Sequence, residues 1–160
     1  MASSGGYGFL CKLGDLVATK RAGKQFITVE SHEVVLRPVP WLPPPPPDPQ
    51  LHLMGPVPEP PILLVAALSS TGRVLCFPLS EMKSLSGGGR GVKIMIFDGR
   101  ETLVDMGILT HTLEIQGIEK GGDLLQDTLS GRKLKDFVGH RASKGRLTSL
   151  KGKAAGLKAW

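Results

Sequence analysis

Two loops of this sequence combine basic side chains with glycines at a spacing suited to binding phosphate groups. The first is Lys20-Arg21-Ala22-Gly23-Lys24, and the second is Gly87-Gly88-Gly89-Arg90-Gly91, with Lys93 just beyond it. Glycine lets backbone amides approach an anion closely, and Lys and Arg supply the opposite charge. These loops predict electrostatic binding of a polyanion rather than a covalent reaction. A glycine triplet alone is more often only a flexible turn, so the prediction depends on the basic neighbours.

Other kinds of chemistry find little support in the sequence. A nucleotide-binding P-loop would need Gly and a hydroxyl residue where Ala18 and Gln25 stand. The four histidines are scattered, and Cys11 and Cys76 stand apart, so no spacing typical of a metal site occurs. Both cysteines lie in apolar runs and are predicted to be buried free thiols in a reducing compartment. Tyr7 is the sole tyrosine and is interpreted as structural, or at most as a stacking contact.

The two loops occupy corresponding places in a repeated unit. Residues 6–16 align with residues 72–82, matching glycine, leucine and acidic positions. After a two-residue insertion in the later copy, residues 23–27 align with residues 91–95. A degraded third copy begins at Gly131. Such self-similarity predicts supersecondary units that stack to form one core. We therefore predict one domain over residues 1–160, with repeat units 6–29, 72–97 and 131–152 and a proline-rich insert at 38–61.

Short runs of Val, Ile, Leu and Phe bounded by Gly, Ser and Pro predict strands rather than helices. No window sustains a helical apolar period for long, and the nearest helical candidate is 121–129. The sequence therefore predicts an all-β protein. The predicted strands are 62–68, 74–77, 92–97, 103–106 and 108–115.

Positive charge is concentrated in the repeats. Residues 1–29 and 72–97 each carry four Lys or Arg and one acid, and residues 130–160 carry nine and one. The connecting segments are acidic, with four acids in 30–71 and seven in 98–129. Equivalent loops of stacked units come out on the same rim, so we expect one basic stripe. The alternative is that each cluster is only a solvated loop.

The remaining segments suggest surface features. Residues 38–61 hold twelve of the thirteen prolines, which favours an extended, poorly packed insertion. The basic tail 151–158 is expected to be mobile. The longest apolar run, 62–68, is far shorter than the ~20 residues of a membrane span, and the start of the chain lacks a signal-peptide pattern. We therefore expect a soluble protein that is not exported.

The repeats resemble a known family. GYGFLCKLGDLVATKRAGKQFITV (6–29) and GRVLCFPLSEMKSLSGGGRGVKI (72–94) are similar to late repeats in the C-terminal domain of the bacterial DNA topoisomerase IV A protein (the A subunit), and less closely to the A subunit of DNA gyrase. The resemblance covers about half of the chain, is weaker over 131–152, and is missing from the proline-rich insert. The QRRGGKG box of gyrase A subunits does not occur, which favours topoisomerase IV. The resemblance implies a β-pinwheel, a propeller-like ring with a basic rim, of which this chain would form about two to three blades.

The resemblance also implies a function. The chain would be the DNA-binding portion of a type IIA topoisomerase, contacting duplex DNA phosphates to help select and bend DNA for ATP-dependent decatenation and supercoil relaxation in chromosome segregation. It would not be an enzyme alone and would need no cofactor or metal, because the cleaving tyrosine, ATP and Mg²⁺ belong to other domains or the partner protein. Implied partners are duplex DNA, a second A subunit and the B subunit of topoisomerase IV, in the bacterial cytoplasm at the nucleoid, with peripheral membrane association left open.

An alternative interpretation of the residues is a protein-interaction module that uses the proline-rich segment or an exposed blade edge. Under the favoured interpretation, the basic residues of the repeats contact DNA. The predicted DNA-contacting residues are Lys12, Lys20, Arg21, Lys24, Arg73, Arg90, Lys93, Arg132, Lys133, Lys135, Arg141, Lys144 and Arg146.

Overall fold

A computed structural model describes residues 1–42, 61–119, 121–150 and 152–160 of the chain. Strands are the main regular elements of the described residues and helix is scarce, which confirms the all-β prediction. The strands are β1 (Tyr7–Gly8), β2 (Leu64–Ser69), β3 (Arg73–Pro78), β4 (Val92–Lys93), β5 (Leu103–Leu109), β6 (Thr112–Ile118), β7 (Leu124–Ser130), β8 (Arg146–Leu147) and β9 (Lys153–Ala159). One short helix, α1 (Gly131–Lys135), and 3-10 turns at Leu13–Leu16 and Leu79–Glu81 complete the described elements.

The strands form three antiparallel sheets, one for each of three successive units. The first pairs β1 with β4, the second has the order β5-β2-β3-β8, and the third has the order β7-β6-β9. We refer to residues 1–36 as the first unit, 64–109 as the second and 112–159 as the third. Strands β4 and β8 come from the unit after the one whose sheet they join, so each pair of consecutive units is linked through its backbone.

The second sheet lies between the other two, which explains the composition of β2. Every residue of β2 is buried. Val65 and Ala67 face an apolar cluster that contains Phe77 and Ile94, while Ala66 and Leu68 face a second cluster on the third sheet. A strand covered on both faces needs a continuous apolar run, which is what the sequence shows at 62–68.

The third sheet is covered on one face only, and its strands alternate accordingly. Leu113 and Ile115 of β6 are buried, whereas Glu114 and Gln116 between them are partly exposed. In β9, Ala154 and Leu157 pack into the same cluster. The expected mobility of the tail was therefore wrong for β9. The Lys- and Gly-rich composition of the tail conceals two apolar anchors, and β6 supplies the partner edge.

Two other expectations need correction. The helical candidate 121–129 lies mainly in strand β7, because it closes a tight hairpin with β6. The predicted strand 92–97 is a strand only at Val92–Lys93. Beyond Lys93, backbone N–H groups donate hydrogen bonds to two different segments instead of one partner strand. Ile94 N–H donates to Gly6 O, and Ile96 N–H donates to Ser143 O. Residues 43–60 of the predicted insert lie outside the described residues.

The units are joined by the same hydrogen bonds each time. Leu10 N–H donates to Lys83 O at 2.8 Å, and Cys76 N–H donates to Phe137 O at 2.9 Å. Leu10 and Cys76 occupy equivalent positions in the aligned repeats. We call the segments that cover the preceding unit docking loops: residues 83–93 of the second unit and 137–147 of the third. The basic glycine-rich loops of the sequence are thus structural joints as well as surface loops.

Candidate nucleic-acid interface

The basic loop of the first unit projects into solvent. Lys20, Arg21 and Lys24 are all exposed, and none of them forms an ion pair with a carboxylate among the described residues. A tight turn closes the loop, with Gly23 N–H donating to Lys20 O at 2.9 Å. The Lys24 ammonium lies 4.9 Å from the ring centroid of buried Phe26, which anchors the end of the loop. Three cations are therefore held together and left free to meet an anion.

Arg90 in the second basic loop is differently placed. Its guanidinium pairs with Glu30 and with Glu33, the latter at 3.0 Å, and it stacks 4.2 Å from the ring centroid of Tyr7. The hydrogen bond from Arg90 lowers the pKa of Glu30. Lys93 lies over the same ring at 5.0 Å and has no described carboxylate partner. Arg90 is thus neutralised by two acids, whereas Lys93 keeps its charge available.

Two basic residues of the third unit are also engaged by groups of the second unit. Lys144 pairs with Asp98 at 2.9 Å. Arg141 donates from its side chain to Lys93 O at 2.6 Å and from its backbone to Glu81 at 2.8 Å, and this backbone bond lowers the pKa of Glu81. Both basic residues therefore bond the docking loop of the third unit to the second unit.

The remaining predicted contacts are divided in the same way. Arg73 lies 3.8 Å from the buried carboxylate of Glu101, and Lys133 on α1 pairs with Asp127 at 2.6 Å. Arg132, Lys135 and Arg146 are exposed and without a carboxylate partner in the part of the chain that the structure describes. Lys12 is also exposed, and its backbone N–H donates to Asp15 at 3.0 Å.

Comparison with known proteins identifies the domain. A family model described as DNA gyrase C-terminal domain, beta-propeller, matches residues 1–39 and 64–110, which is more than half of the chain. The chain belongs to this family. The family resemblance predicted from the repeats is thereby confirmed.

Several relatives that the chain resembles are A subunits of DNA topoisomerase 4. The A subunit of DNA topoisomerase 4 from Neisseria gonorrhoeae is 35% identical over 112 residues, covering 70% of this chain and 12% of the relative. The protein of the same name from Escherichia coli K12 is 38% identical over 95 residues, covering 59% of this chain and 10% of the relative. The chain thus spans about a tenth of the length of these relatives.

Solved structures agree with the family assignment. The E. coli ParC C-terminal domain matches with a TM-score of 0.69 and 26% identity, covering 99% of this chain and 58% of that one. A DNA gyrase A C-terminal domain matches with a TM-score of 0.64 at 14% identity, covering 99% and 47%, and this likeness supports the fold alone. The predicted pinwheel-type fold is confirmed, although the sheets formed by the described residues do not close into a ring.

In this member of the gyrase C-terminal family, the predicted DNA contacts fall into two groups, and DNA contact itself remains a prediction for both. The cations without a described carboxylate partner or internal backbone acceptor are Lys12, Lys20, Arg21, Lys24, Lys93, Arg132, Lys135 and Arg146. The cations engaged by such groups are Arg73, Arg90, Lys133, Arg141 and Lys144.

Sequence reasoning missed the acidic partners. Glu30 and Glu33 recur as Asp98 and Glu101 in the next unit, with the same spacing. In both turns the first backbone N–H donates to the second carboxylate, at 3.3 Å and 3.2 Å. The first acid then holds the cation of the following docking loop, Arg90 or Lys144. This repeated acid pair was a readable signal, because it has the same period as the basic loops.

Two further classes of site find no support. Among the described residues, no group of three or more His, Cys, Asp or Glu side chains is arranged to hold a metal ion. No helix in the described ranges has the length and apolar character needed to cross a membrane. Cys76 is buried, which raises the pKa of its thiol to about 12, while Cys11 is half-buried and both are free.

Proposed function

We propose that this chain is part of the DNA-binding domain of a topoisomerase IV A subunit and holds duplex DNA mainly through its phosphates. Family membership and the likeness to ParC support the domain assignment. The observation that carries the proposal is the group of exposed, unpaired cations in the first loop, Lys20, Arg21 and Lys24.

Recognition through phosphates fits the shape of the described surface. The helix α1 has five residues, too few to serve as a recognition helix in the major groove. The Tyr7 ring is covered by Arg90 and Lys93, so it offers no open platform for stacking the bases of a single strand. Long cationic side chains on loops can reach backbone oxygens of any sequence, so positioning contacts should dominate.

The paired cations support the binding indirectly. Arg90 and Lys144 pair with acids of the preceding unit and so help to hold consecutive units together. The strand pairs β1–β4 and β3–β8 also join the units, so the free cations of the first and third units are carried on connected units. An array of cations held at set positions can bend DNA, because the DNA must curve to bring its phosphates to all of these cations at once.

In the parent enzyme the domain would help to select and bend DNA for ATP-dependent decatenation and supercoil relaxation, in the cytoplasm during chromosome segregation. The tyrosine that cleaves DNA, the ATP and the Mg²⁺ would belong to other domains or to the B protein of the enzyme, and the A protein would act as a homodimer. This chain alone would handle DNA without catalysing a reaction.

Binding to duplex DNA across a salt series tests the proposal. We expect log affinity to fall linearly with log salt, with a slope of about −0.9 for each neutralised phosphate. Two duplexes of unrelated sequence should bind alike. Affinity that does not respond to salt, or that depends strongly on base sequence, would contradict binding through phosphates.

A further inference from the structure

The basic loop of the first unit, residues 11–25, begins at a backbone joint with the second unit. Leu10 N–H donates to Lys83 O, and Leu85 N–H donates to Leu10 O, both at 2.8 Å. Among the described residues, the backbone hydrogen bonds of the loop itself run only between its own residues. The place of the loop is therefore set at its two ends rather than by backbone bonds along its length.

The other end of the basic loop is joined to the glycine triplet of the docking loop. Gly89 N–H donates to Phe26 O at 2.9 Å, and Thr28 N–H donates to Gly89 O at 3.0 Å. The amide of Gly89, which the sequence suggests as a donor to phosphate, is thus used inside the protein. The triplet therefore holds the end of the basic loop instead of offering this amide to an anion.

Gly88 allows the docking loop to approach this end of the basic loop closely. Its φ is 77°, and a Cβ added to it would overlap Phe26 O. Ala142 has the equivalent position in the docking loop of the third unit, with a φ of 60°, and its own N–H donates to Ile94 O at 2.8 Å. Alanine is thus tolerated at this place in a joint, whereas a β-branched residue is strongly disfavoured at positive φ.

The side chain of Phe26 connects this joint to the charge of the basic loop. Its ring is buried and packs against the buried ring of Phe9, with the ring centroids 5.8 Å apart. Lys24 Nζ lies 4.9 Å from the centroid of the Phe26 ring. Because Gly89 holds the carbonyl of the same residue, Phe26 links Lys24 to the second unit.

We propose that Gly88 and Phe26 are positioning residues for DNA binding, because they hold the end of the loop that presents Lys24 beside Lys20 and Arg21. Neither of the two residues carries a charge, and neither has to touch DNA to act in this way. The role rests on the proposed function, since it requires the basic loop to meet phosphates. Phosphate contact by the first unit thus depends on its joint with the second unit.

The salt dependence of binding separates placement from stability. The log–log slope counts neutralised phosphates, at about −0.9 for each. A substitution that only destabilises the fold lowers the fraction of molecules able to bind, so affinity falls by the same factor at every salt concentration. The slope then stays the same. An uncharged substitution that flattens the slope therefore reports a lost contact.

Two uncharged substitutions test the role by binding to one duplex DNA across a salt series. Gly88→Val cannot keep the close approach to Phe26 O. Phe26→Leu removes the ring beneath Lys24 but leaves an apolar side chain. We expect each substitution to flatten the log–log slope by about one unit, which is the share of Lys24 alone.

Each substitution has a matched control. Gly99 has a φ of 59°, and a Cβ added to it would meet nothing within 4 Å, so Gly99→Val carries the backbone strain without the overlap. Phe77 is fully buried, so Phe77→Leu removes a core ring that does not lie beneath Lys24. Both controls should keep the slope of the unchanged chain. Circular dichroism checks that every variant is folded, and Phe26→Leu decides if Gly88→Val is not.

The variant Lys24→Ala completes the test. It should flatten the slope by about one unit, and Phe26→Leu added to it should flatten the slope no further. The positioning role is overturned if folded Phe26→Leu keeps the slope of the unchanged chain, if Lys24→Ala keeps it, or if the controls flatten it equally. Binding of the unchanged chain that does not respond to salt would instead overturn the proposed function, and the positioning role with it.

Discussion

The guanidinium of Arg90 stacks on Tyr7, 4.2 Å from its ring centroid, and so joins the second unit to the first. The same guanidinium pairs with Glu33, whose side chain is 3% exposed, and with the more exposed Glu30. A carboxylate as buried as Glu33 is costly without a partner. Arg90 is therefore needed by the fold, although its sequence context resembles a phosphate-binding loop.

Arg90→Ala is expected to lower the free energy of unfolding and the urea midpoint, because it leaves buried Glu33 without its cation. Lys144→Ala is the matched control, since Lys144 pairs with exposed Asp98 at the equivalent joint. That pair should contribute about 0–1 kcal/mol. Urea denaturation measures both. Equal losses for the two variants would contradict a special role for Arg90.

Gly91 in the docking loop should matter more for stability than Gly23, its counterpart in the exposed first loop. A Cβ at Gly91, with φ of 83°, would lie 2.2 Å from Gly8 O, whereas one at Gly23, with φ of 78°, would meet nothing within 4 Å. Both alanine variants carry the strain of a left-handed backbone, about 1 kcal/mol. Gly91→Ala should also separate the two units. We expect a much lower melting temperature for Gly91→Ala than for Gly23→Ala, and similar values would argue against the joint.

Much of the fold could be predicted because it is encoded locally. The apolar run at 62–68, which is buried from Leu64 onward, and the turn at Gly72 mark the second hairpin directly. The repeat period indicates where the neighbouring hairpin lies. Strand β9 could not be predicted in this way. Only Ala154 and Leu157 carry its apolar signal, and its strand conformation depends on an edge of β6 formed some forty residues earlier.

The sequence predicted which loops carry the basic residues of the candidate site. It did not predict which of these residues are free and which are paired with acids of the fold. Positive charge on the repeats marked the right loops, yet charge alone does not distinguish Lys24 from Arg90. Arg90 finds its acids sixty and fifty-seven residues away in sequence, across a joint between units. The one sequence signal for these partners is that the acid pair Glu30 and Glu33 recurs as Asp98 and Glu101 with the same spacing.

Stability should depend on pH through Glu81. The backbone N–H of Arg141 holds the pKa of Glu81 below its ordinary value of 4.5. A carboxyl group with a lowered folded pKa adds stability above its unfolded pKa and loses it as pH falls through the folded pKa. We expect stability to drop below about pH 4.5 and the drop to be smaller in Glu81→Gln. Urea midpoints between pH 3 and pH 7 measure this, and an unchanged pH dependence in the variant would rule out the contribution.

Binding of duplex DNA by a triple variant bears on the proposed function. Replacing Lys20, Arg21 and Lys24 together by alanine should flatten the log–log salt slope by roughly two to three units, if each meets a phosphate. The three side chains are exposed, and only the contact of Lys24 with the Phe26 ring is lost, so the fold should be retained. Affinity should fall alike for unrelated duplex sequences.

A control of equal charge separates contact from general attraction. Arg37, Arg100 and Lys153 are also exposed and lie outside the predicted contact set, so their triple alanine variant loses the same charge elsewhere. The most direct measurement is the salt slope of both variants beside the unchanged chain on one duplex. We predict a slope flattened by roughly two to three units for the loop variant and by less than about one unit for the control. Equal slopes for the two variants, or an unchanged slope for the loop variant, would contradict phosphate binding by this loop.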